Sequence, residues 1–77
     1  MSRKVYVEVI AKTTVDGKLI PLSIKWEDGM VYEIDKVLDS RLASSKVGGD
    51  GIRYACQINF KQTYLFKEHD KWFVEGR

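Results

Sequence analysis

Apolar and polar residues alternate along most of this chain, at the two-residue period that turns one face of a β-strand toward a core. The clearest case is Ile52, Tyr54, Cys56, Ile58 and Phe60 against Arg53, Ala55, Gln57, Asn59 and Lys61, which predicts a strand over 52–61 with its apolar face inward. Val5, Val7 and Val9 alternate with Tyr6, Glu8 and Ile10, predicting a strand from about Lys4 to Thr14 that ends at Asp16-Gly17. The next run, Lys18 to Trp26, contains the only proline; Pro21 cannot donate to a ladder, so it marks an edge, a strand start or a bulge. Leu22, Ile24 and Trp26 share a face, and Asp28-Gly29 supplies residues that accept positive φ. Pro21 to Ile34 therefore reads as a β-hairpin around which the rest of the chain is organised. Thr63–Lys67 and Lys71–Glu75 predict a last hairpin around His69-Asp70.

Met30 to Ser45 fits two templates. Tyr32, Ile34 and Lys36 continue the alternation, whereas Ile34, Val37, Leu38, Arg41 and Leu42 also fit helical spacing. Because the tight turn leaves no capping residue ahead of a helix, the expectation is a strand to about Ser40 that kinks or bulges near Lys36, with a short helix over Asp35–Ser44 as the alternative. The small, glycine-rich stretch from Ser44 to Gly51 predicts a surface loop. Short strands at roughly ten-residue intervals joined by tight turns predict residues 1–77 as one small all-β domain. The expected fold is a five- or six-stranded SH3-like barrel, mostly an antiparallel meander. The alternative is an OB-like barrel with one short helix at about 35–44.

With 44% hydrophobic residues, two Trp, four Tyr and three Phe, the chain carries enough bulk to bury a core, which excludes a disordered segment. Most aromatics are needed for that core; by parity Tyr6 and Phe73 are the ones expected on the solvent side. The single cysteine, Cys56, excludes an intramolecular disulfide and a cysteine zinc site, and fits a reducing, cytoplasmic setting. On the apolar face of its strand it is expected to behave as a small hydrophobe. The charged start Met1-Ser2-Arg3-Lys4 is followed by an apolar run broken at Glu8 and Lys12, unlike a secretion signal, and no stretch is long enough to span a bilayer, so no membrane partner is expected.

Net charge is only +2, yet it is unevenly spread. Residues 27–39 hold Glu27, Asp28, Glu33, Asp35 and Asp39 against Lys36, whereas residues 40–67 hold Arg41, Lys46, Arg53, Lys61 and Lys67 against Asp50. Arg41, Lys46, Arg53 and Lys61 are the candidate nucleic-acid-binding residues, with Arg53 and Lys61 assigned to the outward parity of the 52–61 strand. The glycine loop resembles an anion nest but lacks the spacing of a nucleotide-binding loop. The rival is a protein-interaction module, using the acidic hairpin and exposed aromatics to hold a peptide or a second copy of the chain as a homodimer. His69 is the only histidine and lies in an expected turn, so no catalytic set, metal site or cofactor is predicted and an enzyme is not expected.

Trp26-Glu27-Asp28-Gly29-Met30-Val31-Tyr32-Glu33-Ile34-Asp35-Lys36-Val37-Leu38, then Gly48-Gly49-Asp50-Gly51-Ile52-Arg53-Tyr54 and the closing Tyr64-Leu65-Phe66 and Trp72-Phe73-Val74-Glu75, resemble a family of short clostridial hypothetical proteins over nearly the whole chain. More loosely, the Trp-turn-Gly-x-x-Tyr-x-Ile-x-x-Val-Leu pattern is similar to small bacterial proteins encoded beside translesion DNA polymerases. That second resemblance implies a DNA-repair accessory role, with nucleic acid or a DNA-repair enzyme as partner.

Overall fold

A computed structural model describes residues 3–45, 48 and 50–76, without the side chain of Asp50. These residues form seven strands and no helix: β1 (Arg3–Thr13), β2 (Leu19–Lys25), β3 (Val31–Glu33), β4 (Lys36–Ser44), β5 (Asp50–Ile58), β6 (Lys61–Glu68) and β7 (Lys71–Gly76). All pairings are antiparallel, in the order β3-β2-β1-β7-β6-β5-β4. The opening hairpin forms as expected: Trp26 N–H donates to the Met30 carbonyl at 2.8 Å, and Gly29 sits at φ 88°, where a glycine has no steric penalty.

The sheet curls because its two ends are almost adjacent in sequence. Flat, seven strands would hold β3 and β4 about 29 Å apart. Only Ile34 and Asp35 separate them, a reach of roughly 10 Å. Ile34 N–H donates to the Leu22 carbonyl at 2.9 Å on one edge, and Asp35 N–H to the Gln57 carbonyl at 2.8 Å on the other. The two edges thus meet at one corner, and the sheet closes into a half-barrel. The long segment expected between Met30 and Ser40 is accordingly two strands broken at Ile34-Asp35, with a bulge between Val37 and Asp39. The break raises the count to seven, and strand rather than helix covers 36–44.

A second bulge lies opposite Ile10 and Ala11, where Pro21 pairs with Ala11 and Leu22 is the extra residue. It places Pro21 inside and leaves Leu22 40% exposed, so the shared face expected of Leu22, Ile24 and Trp26 holds only for Ile24 and Trp26.

The inner face carries the main core: Val5, Ile24, Tyr54, Cys56, Leu65, Trp72 and Val74, with Val7, Val9, Trp26 and Ile34 packed against it. The outer face carries a second apolar layer. Phe66 and Phe73, cross-strand neighbours, are fully buried and stacked with centroids 5.0 Å apart at 7°. Tyr6 meets Phe73 edge-on at 6.0 Å, and the Lys4 ammonium lies 4.7 Å above the Phe73 ring. The Ser45 hydroxyl donates to the Glu75 carboxylate at 3.1 Å, which carries the chain leaving β4 across the outer side of the sheet to β7. Phe73, expected on the solvent side, is therefore covered, whereas Tyr6 is 49% exposed as expected.

The 52–61 run does not continue as one strand. Asn59 and Phe60 both adopt positive φ, 49° and 66°, and form the tight turn between β5 and β6. Phe60 is consequently exposed at a turn rather than part of the core.

Candidate nucleic-acid interface

That turn decides where Lys61 lies relative to Arg53. Arg53 is on β5, with its side chain on the outer face, paired with Phe66 of β6. Lys61 has the same parity in sequence, but after the turn it opposes Ile58 on β6, which places it on the inner side. Arg53 and Lys61 therefore occupy opposite faces, contrary to the parity expectation. Arg41 arrives on the outer face through the β4 bulge: Val37 pairs with Cys56 on the inner side, Leu38 is skipped, and Arg41 then pairs with Arg53. Without the extra residue Arg41 would point inward. Lys46 lies outside the described residues.

Arg41 and Arg53 thus stand directly opposite each other across β4 and β5. Like charges so placed repel. Arg41 is held at 2.9 Å by Asp39, two residues away on the same strand, in a pair exposed enough to contribute little. The Arg53 guanidinium lies 4.4 Å from the Tyr64 ring centroid, stacked against it, and its Nε is buried with no hydrogen-bond partner. Beyond Tyr64, Gln62 Nε2 donates to the tyrosine hydroxyl at 3.2 Å, and Gln62 pairs with Gln57, which pairs with Lys36. The outer side of β4, β5 and β6 is therefore a strip of two guanidiniums, an aromatic ring, two amides and an ammonium, with the Asp39 carboxylate paired to Arg41. Tyr64, read from sequence only as bulk, belongs to this strip. Its parity opposite Leu65 was the available signal.

The rest of the outer face is charge-balanced. Lys4 Nζ lies 3.3 Å from Glu68, whose carboxylate also accepts from the Tyr6 hydroxyl at 3.2 Å. Burial acts to lower the Lys4 pKa, but the Glu68 carboxylate and Tyr6 outweigh it and the net shift is upward. This side has its anions already in place.

Lys61 belongs to a different feature. Between the β2–β3 and β5–β6 hairpins the half-barrel stays open as a cleft of about 660 Å³, lined by Ile24, Trp26, Tyr32, Ile58, Asn59, Lys61, Thr63 and Val74. It is an apolar, aromatic-walled groove with one cation at its rim.

Chemistry in the core is muted. Burial pushes the Cys56 thiol up from its ordinary 9.0 to about 11 and raises Tyr54 as well, with Cys56 adding to that shift. Both groups keep their protons longer folded than unfolded. Between about pH 9 and 11 the unfolded chain releases the thiol proton that the folded chain retains, so stability falls as pH rises. Urea unfolding should show a lower midpoint at pH 10.5 than at pH 8. Cys56→Ala, less stable at pH 8 through its lost methylene-sized volume, should show a shallower decline; an unchanged slope would remove the thiol from this account. His69 is exposed in the β6–β7 turn, and among the described residues no three His, Cys, Asp or Glu side chains group to hold a metal ion. No described helix is long and apolar enough to cross a membrane. No protein-family model, curated protein or solved structure matches this chain.

Proposed function

We propose that this protein is a non-enzymatic binding module, a small barrel of SH3-like type, that holds single-stranded nucleic acid across the outer side of β4, β5 and β6. The observation that carries the reading is the pairing of Arg41 with Arg53, the second stacked on Tyr64. Two arginines at directly opposed positions repel in the free protein, and a phosphate bound between them would relieve that cost, taking the place of Asp39 beside Arg41. A half-exposed tyrosine beside them offers a surface on which a base stacks. Gln57, Gln62 and Lys36 extend the strip with donors for backbone or base edges. The resemblance to proteins encoded beside translesion polymerases agrees with a role on DNA.

The test is fluorescence anisotropy with a labelled single strand of about 15 nucleotides, the upper end of what one small barrel covers, at two salt concentrations. Binding should weaken steeply with salt. Arg53→Glu and Arg41→Glu should each raise Kd by about tenfold or more and flatten the salt dependence, while Lys61→Glu and Lys12→Glu leave it within about twofold. No binding at low salt, or equal effects of all four substitutions, would overturn the reading.

The cleft favours a second reading, a peptide-binding module. Trp26 and Tyr32 form an aromatic wall beside the acidic turn Glu27-Asp28, a setting suited to an apolar peptide with basic flanks. In that case Trp26 fluorescence should respond to such a peptide and not to an oligonucleotide.

A further inference from the structure

β4 ends the sheet order, and among the described residues no strand lies along its far edge. It is nine residues long, exposed at nearly every position, and an unpaired edge of this length is a template for another strand. The bulge between Val37 and Asp39 blunts only its first part. From Asp39 to Ala43 the register on β5 is regular, so the outer edge there is straight enough to be paired.

The side chains on this edge complement themselves. Placed antiparallel to a second copy about a two-fold axis at Ser40, the edge sets Asp39 against Arg41 and Arg41 against Asp39 on the outer face. Beyond this pair the bulge breaks the match, since Val37 lies on the inner side and Ala43, two residues from Arg41, on the outer. Leu38 is 47% exposed and Leu42 83%, large apolar groups left partly or mostly uncovered along the same edge. Moving the axis to Asp39 or Arg41 opposes two carboxylates or two guanidiniums and loses the match. The ion pair between Arg41 and Asp39 on one strand is what such an edge makes when its cross-strand partner is absent.

We infer that the β4 edge is an interface for a second copy of this chain, an isologous antiparallel strand pairing centred on Ser40. It joins two half-barrels into one continuous sheet, with two Asp39–Arg41 pairs across the axis. This edge shares Arg41 with the nucleic-acid strip but does not depend on that reading, because self-association is measured without any nucleic acid present.

Sedimentation velocity over a range of concentrations reaching millimolar measures it. The wild-type chain should pass from monomer to dimer as concentration rises. Asp39→Arg and Arg41→Asp each turn two attractions into repulsions, and each should weaken self-association by about tenfold or more. An equimolar mixture of the Asp39→Arg and Arg41→Asp chains should recover dimerisation, because each copy then meets the opposite charge. Recovery also shows that both variants fold. A wild-type chain that remains monomeric throughout overturns the inference. So does a dimer indifferent to both substitutions, or a mixture that associates no better than its components.

Discussion

Phe73→Ala should remove about 3–5 kcal/mol of stability, a large part of the roughly 4–12 kcal/mol expected of a domain this size. The loss arises on the side of the sheet that alternation assigns to solvent. Phe73 is completely buried there, its ring stacked on Phe66 and capped by the edge of Tyr6 and the ammonium of Lys4. Removing it strands Phe66 beside a cavity and takes away the ring under Lys4. Tyr6→Ala removes a half-exposed group and should cost less than half as much. Urea denaturation of both variants checks the difference. If Phe73→Ala stayed within about 1 kcal/mol of the wild type, the outer layer would not be a core.

Gly51→Ala should be the most damaging single-methyl addition in the described chain. Gly51 has no need of a left-handed backbone, yet a Cβ built on it collides with the backbone carbonyl of Lys67 on the neighbouring strand. Backbone cannot move aside as a flexible side chain can. The strand must be displaced where β5 begins, at an expected cost of about 2–3 kcal/mol. Gly29 makes the informative comparison: it lies at φ 88° with open space around it, so Gly29→Ala pays only for conformation, about 1–2 kcal/mol. Thermal unfolding should therefore rank Gly51→Ala below Gly29→Ala. The reverse order would mean that β5 can drift away from Lys67 at little cost.

Most of the strands, the turns at Gly17, Gly29 and His69, the disturbance near Lys36 and the burial of Cys56 were legible from the chain, because each is written in adjacent residues; the break at Ile34-Asp35 that makes the seventh strand was not. The Asn59-Phe60 turn was not. Phenylalanine is a poor candidate for positive φ, and it continued an apolar alternation that four preceding positions had set up. That single turn moved Lys61 from the face of Arg53 to the cleft. Likewise the bulge at Leu38, one residue long, brought Arg41 to the outer side. Of the four basic candidates, two stand together, one lies on the opposite face and Lys46 lies outside the described residues.

Period-two alternation is a local property: by itself the chain determined an all-β molecule, the approximate strands and the hairpins between neighbours. Which side chains meet across strands depends on registers, and one extra residue reverses every face that follows it. Only the tertiary structure decided that β1 pairs with β7, that β3 and β4 meet at Ile34-Asp35, and that Arg41 stands opposite Arg53. Each of these is a contact between distant residues, selected by how the curled sheet buries its two faces.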